Sequence, residues 1–187
     1  MLTSITMISR RSGDAVGPNQ GTSTSSTYDA DASSADGLAR KYRAMFIDGK
    51  FYPVHMAASR DWKVHYVTSD MANRPDLRAE EEKFLAAMPE VLGPRAMAAL
   101  ERIRDTLALD YGGVDFAVAR DGRLLLFEAN ATMTILPPGP DPKWDYRRPA
   151  FDAQRAEGRR WLARACPTPP ERRGRNRLSC HVSDGLR

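Results

Sequence analysis

Two carboxylates and an amide in the C-terminal half of the chain have the types and the spacing of ligands for a divalent cation. Asp115 lies in an apolar stretch that precedes an Asp-Gly dipeptide. Glu128 ends the apolar stretch that follows the dipeptide, and Asn130 lies two residues further on. Their oxygens form a hard donor set, which suits Mg²⁺ or Mn²⁺ and suits zinc or copper poorly. Because Mg²⁺ often completes its six ligands with phosphate oxygens and water, nucleotide phosphates are natural partners of such a site.

The two apolar stretches, residues 114–119 and 124–128, are predicted to form a β-hairpin around the Asp-Gly dipeptide. A two-residue or four-residue turn places Asp115 directly opposite Glu128, and alternation along the strand turns Asn130 to the same face. Carboxylates opposed at about 4.5 to 5.5 Å between their Cβ atoms destabilise a sheet unless a positive charge neutralises them. A bound cation would supply that charge.

The alternative for Asp115 and Glu128 is a pair of exposed strand carboxylates that form ion pairs with arginines. Apolar neighbours on both faces of the hairpin argue against full exposure, so the acids are expected at the end of a partly buried sheet. These neighbours are Val114, Phe116, Val118, Leu125 and Phe127 on one face, and Ala117, Leu124 and Leu126 on the other.

An earlier hairpin is predicted from residues 41–47 and 51–58. The dipeptide between them, Asp48-Gly49, suits a two-residue type I′ turn, in which both central residues adopt positive φ. Pro53 has no N–H for the ladder, so the second strand is expected to lie at a sheet edge or to contain a bulge.

Helices are predicted at residues 76–88, 94–109 and 149–165, and a further extended segment at 62–68. The second helix carries apolar residues at three- and four-residue steps, a stripe expected to face the core. The fold class that follows is α+β, an antiparallel β-sheet of hairpins packed against helices. The stripe consists of Met97, Leu100, Ile103 and Leu107.

Composition divides the 187 residues into three parts. Residues 1–37 are expected to be a disordered leader, because residues 12–37 are rich in Ser, Thr, Gly, Asp and Ala and have little apolar surface to bury. Residues 38–165 form the predicted domain. Residues 166–187 are expected to be a disordered arginine-rich tail, which supplies much of the net charge of +4.

Cysteine content and apolar runs limit the class of protein. Cys166 and Cys180 are too few for a disulfide scaffold, and with His181 they lack the paired spacing of a zinc site. No apolar run approaches the roughly 20 residues of a membrane-spanning helix, and the N-terminus lacks the features of a secretory signal. We therefore expect a cytoplasmic location and no membrane partner.

The stretch from Tyr111 (Tyr-Gly-Gly-Val-Asp-Phe) to Asn130 (Phe-Glu-Ala-Asn) resembles the C-terminal half of the ATP-grasp superfamily, whose ligases join carboxylates to amines or thiols. In that family an acidic strand residue and a Glu-x-Asn on the next strand hold magnesium ions against the ATP phosphates. The resemblance implies that Asp115, Glu128 and Asn130 are metal ligands. Residues 40–49 are similar to the strand pair that the family places beside the nucleotide.

The resemblance also implies roles for other side chains. Ala117 matches a position beneath adenine, and Arg43 resembles a catalytic residue that contacts phosphate or the activated carboxylate. Arg60 and Lys63 resemble further nucleotide-contacting residues, with surface ion pairs as the alternative. The sequence departs from many of these ligases at Gly113, where they carry an arginine.

The implied activity is phosphorylation of a carboxylate by MgATP to an acyl phosphate, followed by attack of an amine. ATP-grasp proteins hold the nucleotide between two subdomains, and the first supplies a glycine-rich loop over the phosphates. Only the low-complexity leader precedes Arg40, so the chain is expected to lack that half. We expect it to bind Mg²⁺ or MgATP weakly and not to complete ligation unless a partner chain or a missing segment supplies the first subdomain.

Two other functions remain open from the sequence. One is a non-catalytic ATP-grasp remnant that keeps the fold without turnover. The other is a nucleic-acid-binding module that uses the basic tail, with an affinity that falls steeply with salt and is lost when residues after Ala165 are removed.

Overall fold

The computed structural model describes residues 36–60 and 70–166. These residues form a four-stranded antiparallel sheet with helices on both faces, so the predicted α+β fold is confirmed. The predicted strand at 62–68, most of the leader and almost all of the basic tail lie outside the described residues. The elements are β1 (Ala39–Ile47), β2 (Lys50–Ser59), α1 (Pro75–Ala86), α2 (Met88–Leu107), β3 (Tyr111–Val118), β4 (Leu124–Asn130) and α3 (Arg148–Ala165), with short 3₁₀ helices at Asp70–Ala72 and Pro142–Arg147.

The strand order β2-β1-β3-β4 places β1 and β3 in the centre of the sheet. Alternation along β1 sends Phe46 to one face, where it lies in the same core as Phe84 of α1. Met45 and Ile47 point to the other face and pack with Trp161 of α3. Because both faces are covered, the central strands are buried almost throughout, which explains why β3 is apolar on each side.

The turn between β1 and β2 has the predicted type I′ geometry. Asp48 and Gly49 have φ values of 51° and 76°, and Ile47 pairs with Lys50 across the turn. Both central residues of this turn need positive φ, and Asp and Gly are among the residues that adopt it most readily. The first hairpin and its two-residue turn are therefore confirmed.

Both effects expected of Pro53 are present in β2. The strand lies at an edge of the sheet, and its register shifts beside the proline. Arg43 pairs with His55 while Ala44 pairs with Pro53, so Val54 is an extra residue on β2. A bulge at an edge strand accommodates a residue that cannot donate to the ladder.

The second turn is not the two-residue turn predicted for Asp121-Gly122. The Ala119 N–H donates to the Arg123 carbonyl and the Gly122 N–H donates to the Ala119 carbonyl, each at 2.8 Å. Three residues therefore form the loop, with Gly122 at a φ of 79°. This is the three-residue hairpin loop in which a glycine in the left-handed region closes the turn.

A bulge in β4 compensates for the register change that the three-residue loop introduces. Phe116 pairs with Leu126, but Asp115 pairs with Glu128, so Phe127 is an extra residue on β4. The bulge shifts the register by one residue. The predicted pairing of the two acids is thus correct, although it arises from a three-residue loop plus a bulge.

Glycine interrupts the second helix. The helix predicted at 94–109 has a short helical segment before it, and Gly93, with φ 75° and ψ 167°, separates the two parts. Pro94 then begins the longer part, at a position where its missing N–H costs nothing. Leu100 and Ile103 of the predicted stripe are buried, while Met97 is partly buried against the same core, so the stripe faces the core as predicted.

The other two helices agree with their predicted positions to within two residues. α1 begins at Pro75 and ends at Ala86, and α3 begins at Arg148 with Pro149 in its first turn. Proline favours the first turn of a helix because its φ is preset and its missing N–H would have no helical partner. In the part of the chain that the structure describes, no helix has the length and apolar character required to cross a membrane.

Candidate functional site

The three predicted metal ligands lie at neighbouring positions of the β3–β4 ladder. Asp115 of β3 pairs with Glu128, and Gly113 pairs with Asn130. β3 is a central strand and β4 is an edge strand, so the site begins in the buried middle of the sheet and ends at its rim. The register that the sequence argument required is present.

Asp115 is fully buried and ionically paired. Its exposed fraction is 1%, and Arg43 on β1 binds it with two hydrogen bonds, Nε to Oδ1 at 2.5 Å and Nη2 to Oδ2 at 2.7 Å. Lys41 adds a third contact, Nζ to Oδ2 at 2.6 Å. Two cationic side chains therefore neutralise the buried carboxylate, which is the role that the sequence argument assigned to a metal ion.

The charge state of Asp115 follows from two opposed effects. Burial raises the pKa of its carboxyl, but the hydrogen bonds and charges of Arg43 and Lys41 outweigh burial and hold the pKa below its ordinary value of 3.8. The hydrogen bonds to Asp115 in turn raise the pKa of Arg43, and the charge of Glu128 contributes to the same shift. Glu128 therefore acts electrostatically on the same pair.

Glu128 and Asn130 differ in how free their side-chain oxygens are to bind a metal ion. Glu128 is exposed. The Asn130 side-chain oxygen accepts hydrogen bonds from the backbone N–H of Thr132 at 2.8 Å and from its hydroxyl at 2.9 Å. An amide oxygen has two lone pairs, so Asn130 would ligate a metal only by exchanging at least one of these bonds.

The residues predicted to contact the nucleotide are not all gathered at this site. Ala117 is buried on β3 and pairs with Leu125, two positions from Asp115. Arg43 is bound to Asp115, whereas Arg60 is an exposed residue just beyond the end of β2. Lys63 lies outside the described residues.

Lys41, Arg43, His55 and Asp115 form a group that we call the Asp115 cluster. Sequence reasoning missed two of its members, Lys41 and His55. Lys41 and Arg43 are two residues apart on β1 and share a face, but their meeting with Asp115 depends on the adjacency of β1 and β3. His55 pairs with Arg43 from the other side, and burial, followed by the positive charge of Arg43, lowers its pKa to about 3. The Lys-x-Arg pattern of β1 was the available signal for the first of them.

Glu128 and Asn130 are the predicted ligands that remain for a hard cation, which would have to bring its other ligands. Lys41 and Arg43 carry two positive charges, and Asp115 and Glu128 carry two negative charges. A divalent ion beside them would add charge that phosphate oxygens can balance. Among the described residues there is no group of three His, Cys, Asp or Glu side chains that could hold a metal ion. Any metal here would depend on Glu128, Asn130 and the ligand rather than on a protein cage.

Comparisons with protein-family models, with curated proteins and with solved structures identified no match. The resemblance to ATP-grasp ligases therefore depends on residues 40–49 and 111–130.

Proposed function

We propose that this face of the sheet binds a magnesium nucleotide, as part of an ATP-grasp domain of the carboxylate–amine ligase type. Lys41 and Arg43 would contact the phosphates, and Glu128 and Asn130 would contact the metal. The observation that carries the proposal is the buried pairing of Asp115 with two cations, directly across from an exposed carboxylate on the next strand.

The cations of the cluster are held in place and still reach solvent. The side chains of Arg43 and Lys41 are 32% and 22% exposed, whereas the Asp115 carboxylate that binds both is almost completely enclosed. A buried anion that fixes two partly exposed cations preorganises them for a second anion, because little side-chain freedom remains to be lost on binding. Phosphate is the anion that a guanidinium and an ammonium group together bind well.

The reaction implied for this class has two steps. A substrate carboxylate oxygen bonds to the γ-phosphorus of ATP while the bond from that phosphorus to the β–γ bridging oxygen breaks, which releases ADP. An amine then attacks the acyl carbon, loses a proton and expels inorganic phosphate. When bound, Mg²⁺ would neutralise charge on the phosphates, while Lys41 and Arg43 position them. The complete reaction also requires the glycine-rich segment that ATP-grasp ligases place over the phosphates. A nucleotide-dependent role agrees with the cytoplasmic location expected from the sequence.

The test compares melting temperatures with and without MnATP for the wild-type chain, Glu128→Gln and Asn130→Ala. A ligand that binds only the folded state stabilises it by RT ln(1 + [L]/Kd), about 2.7 kcal/mol at a hundredfold excess over Kd. Both variants should show a smaller shift than wild type. Glu101→Gln is the matched control, because Glu101 is an exposed acid on α2, a helix that packs against the opposite face. An equal shift in all four proteins would reject the proposal.

A non-catalytic remnant is the second candidate, and it is favoured because the side-chain oxygens of Asp115 and Asn130 already have partners within the chain. Both Asp115 oxygens already have cationic partners and the Asn130 oxygen has two donors, so the cluster is complete as a structural unit. A remnant would keep the dependence of stability on Arg43 and Asp115 and would show no thermal shift with MnATP. The same melting experiment therefore separates the two functions.

A further inference from the structure

A groove of about 690 Å³ lies between α3 and the segment 132–137 that follows β4. We call it the α3 groove. Most of its wall is apolar, and two large apolar side chains at it, Leu136 and Leu162, are 73% and 50% exposed. Its volume falls within the range of roughly 300 to 1,000 Å³ that is typical of small-molecule sites. Other apolar residues of the wall are Ile135, Phe151 and Trp161.

The groove is preformed by contacts within the domain. Tyr111 and Trp161 stack in its wall with ring centroids 5.6 Å apart and an interplanar angle of 20°. The Tyr111 hydroxyl also donates to the Met133 carbonyl at 2.6 Å, which ties the 132–137 segment to the sheet. Gly158 of α3 packs against this segment, since a Cβ there would be in ordinary van der Waals contact with Cδ1 of Ile135, at 3.8 Å.

The charged residues that line the groove are two arginines, Arg155 and Arg159. They are four residues apart on α3 and therefore lie on one side of the helix. Within residues 36–60 and 70–166 neither forms an ion pair, whereas the other arginines of α3 do. Those pairs are Arg148 with Asp145, Arg160 with Glu157, and Arg164 with Asp48 and Glu157.

We propose that the α3 groove binds a small amphipathic carboxylate, with its apolar body against Trp161 and its carboxylate on Arg155 and Arg159. The apolar wall supplies the free energy of burial, and the guanidinium groups match a carboxylate with paired N–H donors. Two neighbouring positive charges beside an apolar concavity also repel each other until an anion binds. The groove therefore selects for negative charge joined to an apolar body.

The groove adjoins the candidate nucleotide site but binds its ligand through different residues. Thr132 is the link, because it lines the groove and donates to Asn130. The proposal does not depend on nucleotide binding, since neither arginine nor Trp161 belongs to the Asp115 cluster. Failure of one proposal leaves the other intact.

Calorimetric titration with three probes tests the site. Octanoate carries both charge and apolar body, octan-1-ol carries the body alone, and acetate carries the charge alone. We expect octanoate to bind more tightly than octan-1-ol, and acetate not to bind measurably. Arg155→Gln and Arg159→Gln should each weaken octanoate about tenfold, as expected for loss of a charge-assisted hydrogen bond, and should leave octan-1-ol unchanged. Arg148→Gln is the control, because that arginine is on the same helix, outside the groove and paired with Asp145.

A variant that fills the groove provides a second test. Gly158→Leu places a larger side chain at the groove wall beside Ile135 and should abolish octanoate binding, while circular dichroism remains that of the folded chain. Equal affinity for octanoate and octan-1-ol would overturn the proposal, as would wild-type octanoate affinity in both arginine variants. Binding of an acidic amphipathic peptide without binding of octanoate would also overturn it, because the groove would then be a surface for docking a protein.

Discussion

Replacing Arg43 with methionine is expected to lower the free energy of unfolding by about 2 to 3 kcal/mol. Loss of one partner from a buried ion pair typically costs about 3 to 5 kcal/mol, because a charge remains buried without compensation. Here the cost should be smaller for two reasons: Asp115 keeps the contact from Lys41, and the Arg43 side chain is 32% exposed, so water already screens part of the interaction. Methionine retains an apolar stem like that of arginine, so the change in stability reports mainly the loss of the positive charge.

The assay is urea denaturation followed by far-UV circular dichroism, with Arg148→Met as the control. Arg148 and Asp145 form a surface pair in which the side chains are 51% and 54% exposed, so its loss should cost at most about 0.5 kcal/mol. A cost for Arg43→Met no larger than that of the control would refute the conclusion that Arg43 compensates the buried charge of Asp115. An unchanged m-value in both variants would show that the comparison concerns stability alone.

Further predictions concern glycines and acid. Gly112→Ala should destabilise the chain by about 1 to 3 kcal/mol in the same urea assay, because its Cβ would lie 2.6 Å from the ring of the fully buried Phe46. Gly158→Ala should instead stabilise by about 0.5 to 1 kcal/mol, since it removes a glycine from the interior of α3 where a Cβ makes ordinary contact; a lower melting temperature would contradict this. Gly49→Ala should cost about 1 kcal/mol, because φ there is 76°, and no loss would argue against the type I′ turn. The pKa of Asp115 is lower in the folded state than its ordinary value of 3.8, so its contribution to stability is complete above pH 3.8 and is lost as pH falls through the folded pKa. Asp115→Asn should therefore lose less stability than wild type over that acid range, measured by urea midpoints at successive pH values.

Local signals in the sequence were sufficient for most of the fold. Asp48-Gly49 specifies a turn by itself, because both residues readily adopt positive φ, and the adjacent strands follow from it. The apolar stripe of α2 and the proline at the start of α1 likewise act within a few residues along the chain. Such features need no knowledge of which elements become neighbours.

The sequence could not predict which side chains meet at Asp115, because that depends on the order of the strands in the sheet. Nothing in the sequence states that β1 lies between β2 and β3, and that adjacency brings Arg43 and Lys41 onto Asp115. Without knowledge of that adjacency, the sequence offers no positively charged partner for the two opposed acids, and a bound metal ion is the simplest source of the missing charge. The structure supplies the charge from a strand about 70 residues earlier, as the Arg43–Asp115 separation of 72 residues shows.

The β3–β4 register could be predicted from the sequence only in part. The three-residue loop at Gly122 and the extra residue Phe127 each shift the pairing by one residue, and their effects cancel at Asp115 and Glu128. A turn dipeptide does not distinguish a two-residue loop from a three-residue one, and a bulge depends on packing across the whole sheet. The α3 groove was missed for a related reason, because it is formed by a helix and by an irregular segment with no periodic pattern.

We propose that the exposed side of the Asp115 cluster holds a metal together with nucleotide phosphates. Crystals grown with Mn²⁺ and a non-hydrolysable ATP analogue would test it directly through the anomalous scattering of manganese. We predict a manganese peak at roughly 2.1 Å from a Glu128 carboxylate oxygen, with phosphate oxygens completing its shell beside Lys41 and Arg43. Nucleotide-bearing crystals with no manganese at Glu128, or with the analogue bound away from this sheet face, would contradict the claim.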